Sequence, residues 1–224
     1  MERVKTGIEG MDKLLDGGFP DHTAILVSGS AGCGKTLLGL SYLLEGARNG
    51  EKCLYISLNE TQDELVKACV NIKALDDIGD YKDQNLVIWH TNLGFDMTLK
   101  EFTRMFLKYP QIDRCVIDDL NKIMISATKE REYRLRLSEL IRYLKERSKT
   151  AMILCEAGKD MPDSGHGESF ESDGVIKMGF AEFEEKPKRT IELYKMRYTP
   201  IEPRVAHELI ISDGGLTVTD TKIL

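Results

Sequence analysis

Residues 29–36 read Gly-Ser-Ala-Gly-Cys-Gly-Lys-Thr, which has the residue types and the spacing of a phosphate-binding loop. Glycines allow backbone N–H groups to turn inward around a polyphosphate, and a following helix adds the positive end of its dipole. In this pattern Lys35 reaches the β- and γ-phosphates, and the hydroxyl of Thr36 ligates Mg²⁺. The predicted nucleotide contacts are Gly29, Ser30, Ala31, Gly32, Cys33, Gly34, Lys35, Thr36 and Leu37.

A second acidic group is needed to hold the metal, and residues 115–118, Cys-Val-Ile-Asp, form an apolar run that ends in one. We expect Asp118 at the carboxyl end of a strand neighbouring the loop, where it would hold Mg²⁺ or a water on it. Alone the pattern is weak, because many strands end in aspartate. Asp119 is assigned no chemistry and is expected to cap the helix that follows it.

The elements that must position these residues follow an alternating order. Up to residue 155 short apolar runs alternate with helical patterns, which is typical of an α/β domain whose mostly parallel central sheet is flanked by helices. A helix over 35–47 is predicted to leave the loop. The runs predicted as parallel strands buried on both faces are 23–28, 53–58, 86–90, 115–118 and 151–155. Antiparallel C-terminal strands are predicted over 174–180, 190–198, 206–211 and after residue 215.

The composition is that of a globular protein, because 42% of the 224 residues are hydrophobic and 30% are charged. These values exclude a disordered chain, a collagen-like chain and a coiled coil, and one domain over residues 1–224 is expected. No run approaches the ~20 apolar residues of a membrane span, and the charged N-terminus is not expected to act as a secretory signal. The net charge of −6 counts against duplex nucleic acid as the main partner.

The cysteines are interpreted as small core residues in a reducing, cytoplasmic protein. Their number is odd, and no two are spaced as C-x-x-C. Three of the five lie within apolar runs predicted to be strands. A disulfide framework or a metal cluster is therefore not expected.

An ordered set of motifs resembles the KaiC-like branch of the RecA-superfamily ATPases. The set comprises residues 6–12 (Thr-Gly-Ile-Glu-Gly-Met-Asp), 17–20 (Gly-Gly-Phe-Pro), 55–60 (Tyr-Ile-Ser-Leu-Asn-Glu), Asp118, 195–197 (Lys-Met-Arg) and 211–214 (Ile-Ser-Asp-Gly). The match spans nearly the whole chain, as in a protein with a single KaiC-type repeat. The resemblance implies a RecA-like fold, binding of ATP with Mg²⁺, and a ring-shaped homo-oligomer such as a hexamer with nucleotide at the subunit interfaces.

The same resemblance gives a role to Lys195 and Arg197. Residues two apart on a strand point to the same side, so both cations are expected to project together with Leu193 and Ile191. In the family this K-x-R pair reaches the γ-phosphate of a neighbouring subunit, as an arginine finger supplied in trans. From the residues alone, two solvated charges at the end of a strand are an equal alternative.

One position departs from the family pattern. Family members usually carry two adjacent glutamates after the second strand, the first placed to activate the attacking water, and this chain has Asn59 and Glu60. Asparagine orients water but cannot take its proton, and general-base catalysis is worth roughly 10²–10⁴ in rate. Three outcomes are open: Glu60 serves as the base, hydrolysis is slow, or ATP binds without turnover. The expectation is slow hydrolysis with Glu60 as the base.

Residues 157–173 are rich in Gly, Ser and acidic residues and are predicted to form a mobile loop. Aligned on residues 173–176 with the second repeat of the clock protein of the family, Ser169 and Phe170 occupy the positions of two phosphate-accepting hydroxyls. Only Ser169 retains a hydroxyl here, so autokinase activity would depend on it. The alternative is an ordinary loop serine.

The favoured function is an ATPase whose oligomeric state, or whose binding to an unknown protein partner, is set by nucleotide. A non-hydrolysing ATP-binding scaffold is the alternative that rests on Asn59. A DNA-binding recombinase shares the core, but after the fifth strand five acidic residues outnumber a single lysine, so phosphate would be repelled. These residues are Asp160, Asp163, Glu168, Glu171, Asp173 and Lys159. A metabolite kinase needs arginines over its substrate, and those at 131, 134, 136 and 142 are explained by a solvated helix face.

Overall fold

The computed structural model describes residues 1–91, 106–109, 111–125, 130–158, 161–183 and 186–223. Strands and helices alternate up to residue 156, and strands dominate after it. The strands are β1 Arg3–Val4, β2 Phe19–Pro20, β3 Thr23–Gly29, β4 Cys53–Ser57, β5 Leu86–His90, β6 Arg114–Asp118, β7 Thr150–Glu156, β8 Gly174–Phe183, β9 Lys186–Met196, β10 Ala206–Ser212 and β11 Gly215–Ile223. The helices are α1 Met11–Leu14, α2 Lys35–Arg48, α3 Gln62–Val70, α4 Ile78–Tyr81, α5 Leu120–Ile125, α6 Glu130–Arg147 and α7 Glu168–Glu171, with a 3₁₀ turn at Lys73–Leu75.

Within the described ranges, nine strands form one sheet in the order β11-β10-β9-β8-β3-β7-β6-β4-β5. The six strands from β8 to β5 in this order pair in parallel. The strands from β8 to β11 pair antiparallel. The predicted fold class, a mostly parallel sheet with antiparallel C-terminal strands, is confirmed.

The central strands are buried on both faces, as their unbroken apolar sequences predicted. All residues of β3, β4 and β6 are buried. One face of the sheet packs against α2 and α3, and the other packs against α5 and α6. On α6 the inward stripe consists of Tyr133, Leu137, Leu140, Ile141 and Leu144, while Arg131, Arg134 and Arg142 are exposed. All five cysteines are buried and free, which confirms that they are core residues.

For the five strands predicted to be parallel, the predicted and observed boundaries agree to within one residue at each end. The strand β8, predicted only as antiparallel, pairs antiparallel with β9 but parallel with β3. The hairpin of β8 and β9 is longer than predicted, because its distal pairs, such as Ala181 with Lys188, are not marked by apolar residues. The pairing of β1 with β2 was missed, since each strand has only two residues. Of the helices within the described ranges, none is both long and apolar enough to cross a membrane.

A β-bulge in β9 corrects one prediction about the Lys195 side chain. Val175 pairs with Lys195, but Ile176 pairs with Leu193, so one residue of β9 is extra. An extra residue reverses the side to which the following side chains point. Ile176 and Leu193 belong to the core beneath α2, whereas Val175 belongs to the core beneath α6. Lys195 therefore lies on the face opposite to Leu193, and the prediction that they project together is wrong.

The segment before β8 is more ordered than predicted. Residues 161–173 contain α7, and Asp163, Glu168 and Asp173 in this segment are buried. Asp173 accepts hydrogen bonds from the backbone N–H of Ala24 and forms an ion pair with Lys145 at 2.8 Å. The prediction of a mobile loop is therefore wrong for residues 161–173, because acidic residues that are paired inside the protein resemble loop residues in the sequence.

Candidate active site

The phosphate-binding loop crosses from the end of β3 to the start of α2 at the carboxyl edge of the sheet. Gly29 has no room for a side chain, because a Cβ there would clash with the carbonyl oxygen of Met178 on β8. Gly34, at φ 106°, precedes α2 and offers no side-chain cap to its first N–H groups. Backbone N–H groups without a capping side chain at a helix N-terminus suit an anion.

Lys35 is buried against the loop that it follows. Its Nζ donates hydrogen bonds to the carbonyl oxygens of Gly29, at 3.0 Å, and Ser30, at 2.9 Å. An ammonium group has three donors, so one remains for a further acceptor. The loop thus holds a positive charge beside the N–H groups of α2, and the arrangement favours a bound polyphosphate.

Thr36, near the start of α2, and Asp118, at the end of β6, come together although β6 is not next to β3, the strand that leads into the loop. The prediction of adjacent strands is wrong, since β7 lies between β3 and β6. The Thr36 hydroxyl nevertheless donates to Asp118 Oδ2 at 2.9 Å. Its single proton is used in this bond, so its lone pairs are available to a cation. Hydroxyl and carboxylate oxygens are suitable ligands for Mg²⁺, and the two side chains fit that ion.

Asp118 also accepts a hydrogen bond from Tyr55 on β4. The Tyr55 hydroxyl lies 2.6 Å from Asp118 Oδ2, the same oxygen that Thr36 contacts. Burial raises the pKa of Asp118 above its ordinary value of 3.8, and the hydrogen bonds from Tyr55 and Thr36 act in the opposite direction. Tyr55 was quoted in the sequence only as part of a motif, and its contact with Asp118 depends on the register of β4 against β6.

Asn59 and Glu60 follow β4, which ends at Ser57. The Asn59 amide donates to Asp119 Oδ2 at 2.9 Å. Asp119 Oδ1 accepts from the N–H of Lys122, which confirms its predicted role as a helix cap. Burial, followed by the nearby charge of Asp118, raises the pKa of the half-buried Glu60 above its ordinary value of 4.5. A raised pKa brings a carboxylate closer to the range in which it accepts protons efficiently.

Lys195 and Arg197 lie far from the loop of their own chain. At the loop end of β3, Gly29 pairs with Met178 on β8. The backbone N–H of Arg197 donates a hydrogen bond to the carbonyl oxygen of Asp173. Asp173 in turn bonds to Ala24, near the start of β3, so Arg197 lies at the opposite end of that strand. Five residues of strand separate Ala24 from Gly29, or about 16 Å. The two cations are therefore not brought together with the loop of the same chain.

Both cations contact the segment around α7. Lys195 Nζ donates to the carbonyl oxygens of Ser169, at 3.0 Å, and Ser172, at 2.6 Å. Arg197 forms an ion pair with Asp173 at 3.2 Å. Burial and the neighbouring Arg197 charge lower the pKa of Lys195. The Ser169 hydroxyl donates to Asp163 at 2.6 Å.

Arg189 is a cation beside the loop that the sequence analysis missed. It pairs with Phe180 on β8, two residues beyond the partner of Gly29. Its charge lowers the pKa of Cys33, although burial raises that pKa more strongly. Its Nε is buried and has no hydrogen-bond partner among the described residues. No motif marked this residue, because only the strand register brings it to the loop.

The fold defines the class of this protein, which is a P-loop ATPase domain of the RecA type. The structure of the KaiC-like protein PH0186 from Pyrococcus horikoshii has the same fold, with a TM-score of 0.82 and 26% sequence identity over 97% of this chain and 99% of that one. The family model described as "ATPase: KaiC" matches residues 4–223. The chain belongs to this family, and the resemblance noted in the sequence is confirmed.

The chain is similar both to relatives of about its own length and to longer relatives. A UPF0273 protein from Thermotoga maritima is 27% identical, and the match covers 97% of this chain and 96% of that protein. The UPF0273 protein PH0284 from Pyrococcus horikoshii is 28% identical over 99% of this chain and 96% of its own length. Circadian clock protein KaiC2 from Synechocystis is 29% identical over 96% of this chain but only 40% of that protein. Nucleotide binding of the ATPase type follows from the family.

The raised pKa of Glu60 predicts how stability depends on pH. The folded chain holds a proton on this group more firmly than the unfolded chain, so the group disfavours folding increasingly as the pH rises from about 4.5 through the raised pKa. Glu60→Gln cannot ionise, and we expect it to be more stable than wild type near neutral pH. The difference should vanish at low pH, as measured by denaturant unfolding at a series of pH values.

Glu64 provides a control of opposite sign. The capping hydrogen bonds from Thr61 lower its pKa, so its ionised form stabilises the fold above its ordinary pKa and that contribution is lost as the pH falls. Glu64→Gln should therefore be less stable than wild type near neutral pH. Equal signs for the two variants would contradict the assigned environment of Glu60.

Proposed function

We propose that this chain, acting as one domain over residues 1–224, binds ATP with Mg²⁺, hydrolyses it slowly and uses the bound nucleotide to control its assembly. The observation that carries the proposal is the hydrogen bond between Thr36 and Asp118, which joins the phosphate-binding loop to the acidic end of β6. A threonine and an aspartate so joined are expected where a metal bridges a nucleotide to a protein.

Each residue of the loop has a task in this proposal. The N–H groups around Gly32 and Gly34 would bind the phosphates, and Lys35 would donate the third hydrogen of its ammonium group, which the two loop carbonyls do not use, to a phosphate oxygen. Thr36 and Asp118 would hold Mg²⁺, and the ion would supply positive charge to the phosphates. Arg189 adds a second cation at the same edge of the sheet. A soluble reducing compartment, the cytoplasm, suits the free buried thiols.

Glu60 is proposed as the general base for the attacking water. Its raised pKa supports this role, while Asn59 cannot accept a proton. The Asn59 amide is also engaged with Asp119, so a glutamate at position 59 would stand against a carboxylate at hydrogen-bond distance. The Asn59–Asp119 pair supports the proposal of slow turnover, because it holds an amide at the position where the family usually has a glutamate.

Assembly is proposed because Lys195 and Arg197 cannot serve the phosphates of their own chain. About 16 Å of strand separates Arg197 from the loop end of β3, so a γ-phosphate near these cations would belong to a second copy. A closed ring, for example a hexamer, gives every subunit the same two contacts. Nucleotide at such an interface would make assembly depend on ATP, which is the proposed switch.

The alternatives receive less support. A non-hydrolysing scaffold requires that Glu60 be inactive. Repulsion by the acidic residues after β7 does not exclude a recombinase, because Asp163, Glu168 and Asp173 are buried and cannot repel DNA at the surface. Lys159 and Asp160 lie outside the described residues. The net charge of −6 still counts against nucleic acid. Autokinase activity at Ser169 would place a phosphate beside the buried carboxylate of Asp163.

Turnover of Mg-ATP by wild type and variants tests the catalytic assignment. We expect slow release of phosphate by wild type and a loss of roughly 10²–10⁴ in Glu60→Gln, because the base is removed. The double variant Asn59→Glu with Asp119→Asn keeps an amide–carboxylate pair but moves the carboxylate to position 59. We expect this variant to increase turnover, because position 59 then carries a group that can accept a proton. An inactive wild type that this double variant activates would favour the scaffold instead.

Sedimentation with and without Mg-ATP tests the assembly. We expect nucleotide to stabilise an oligomer, and Lys195→Ala or Arg197→Ala to weaken it, since each removes a charge from the phosphate of the neighbouring subunit. Lys222→Ala is the control, because it removes a cation that forms an exposed ion pair with Glu202 elsewhere on the C-terminal strands. A wild type that remains monomeric in all conditions would exclude the trans contact.

A further inference from the structure

Tyr55 is a fully buried side chain that the proposed chemistry does not use. It lies on β4, next to β6 in the sheet, and its ring belongs to the core beneath α2. Its hydroxyl reaches Asp118 Oδ2 at 2.6 Å, closer than the Thr36 hydroxyl at 2.9 Å. The acidic residue at the end of β6 is thus held from two sides, by α2 and by β4.

The hydrogen bonds determine which oxygen of Asp118 is left for a ligand. The Tyr55 phenol is the donor in its contact with Asp118, because a carboxylate oxygen accepts hydrogen bonds. A phenol has one proton, and Asp118 accepts it. Both donors converge on Oδ2, and no hydrogen bond to Asp118 Oδ1 occurs among the described residues. Two donors at one oxygen fix the rotation of the carboxylate, so Oδ1 has a defined direction.

We propose that Tyr55 is a positioning residue for the metal: its phenol holds Asp118 in the rotation that leaves Oδ1 for Mg²⁺ or a water on it. This inference rests on the proposed binding of Mg-nucleotide. Residues that orient a metal ligand through a hydrogen bond typically change metal affinity 10- to 100-fold when removed. Tyr55 would act in this way, through Asp118 and without touching the nucleotide.

A purely structural role for the hydroxyl is the competing explanation, because buried tyrosines usually find a hydrogen-bond partner. Tyr42 gives a matched comparison within this chain. It is also fully buried, and among the described residues its hydroxyl forms no hydrogen bond with Asp118. Removing one hydroxyl in Tyr42→Phe and one in Tyr55→Phe makes the same chemical change in the core, but only the second affects Asp118.

The experiment measures metal and nucleotide separately on wild type, Tyr55→Phe and Tyr42→Phe. Binding of ADP in the presence of EDTA is measured by calorimetry, and binding of Mn²⁺ to the ADP-saturated protein is measured by electron paramagnetic resonance. We expect Tyr55→Phe to lose ~10-fold or more in Mn²⁺ affinity, with ADP affinity in EDTA unchanged. Tyr42→Phe should match wild type in both measurements.

A double-mutant cycle with Asp118→Asn tests whether Tyr55 acts through Asp118. We expect the loss of Mn²⁺ affinity in the double variant to be smaller than the product of the two single losses, because both changes affect one interaction. Unchanged Mn²⁺ affinity in Tyr55→Phe would overturn this inference alone. Loss of metal-free ADP binding in Tyr55→Phe would also overturn it, since the hydroxyl would then support the fold. A wild type that binds neither ADP nor Mn²⁺ would instead refute the proposed function.

Discussion

The hydrogen bond between Thr36 and Asp118 is the interaction on which the proposed chemistry of this protein depends. Thr36 lies in the first turn of α2 and Asp118 ends β6, and β7 lies between β6 and β3, the strand that leads into the loop and α2. The bond therefore requires that the parallel strands be in register and that α2 lie across them. The packing of buried side chains on both faces of the sheet fixes that arrangement. A shift of either element would separate the two oxygens that a metal needs.

The cations of the C-terminal hairpin lie in two groups, one at each end of the central strands. At the loop end, Arg189 lies beside the phosphate-binding loop of its own chain. At the other end, Lys195 and Arg197 are held by the segment around α7, and Arg197 is half exposed. One long antiparallel hairpin thus carries cations at both ends of the central strands. In the proposed assembly, a nucleotide would contact the first group on one copy and the second group on its neighbour.

The features that the sequence predicted correctly are those for which several local requirements agree. The loop, the strand before it and the helix after it were predictable, because glycine, lysine and threonine occur at fixed spacing between an apolar run and a helical pattern. The features that the sequence did not predict are contacts that depend on the register between strands. The contact of Tyr55 with Asp118, the bulge that turns Lys195 away from Leu193, and the position of Arg189 all follow from strand pairing. The paired acids of residues 161–173 were mistaken for loop residues for the same reason.

Calorimetry of Mg-ATP binding to wild type and Lys35→Ala shows whether the loop at residues 29–36 binds the nucleotide through its phosphates. Lys35 lies over the carbonyl groups of the loop, so its removal deprives the phosphates of a charge without disturbing the sheet. We expect measurable heat and saturable binding for wild type. The affinity of Lys35→Ala should be lower by about tenfold or more, as expected when a hydrogen bond to a charged group is lost. Absence of heat with wild type, or equal binding by the variant, would contradict binding of the phosphates by this loop.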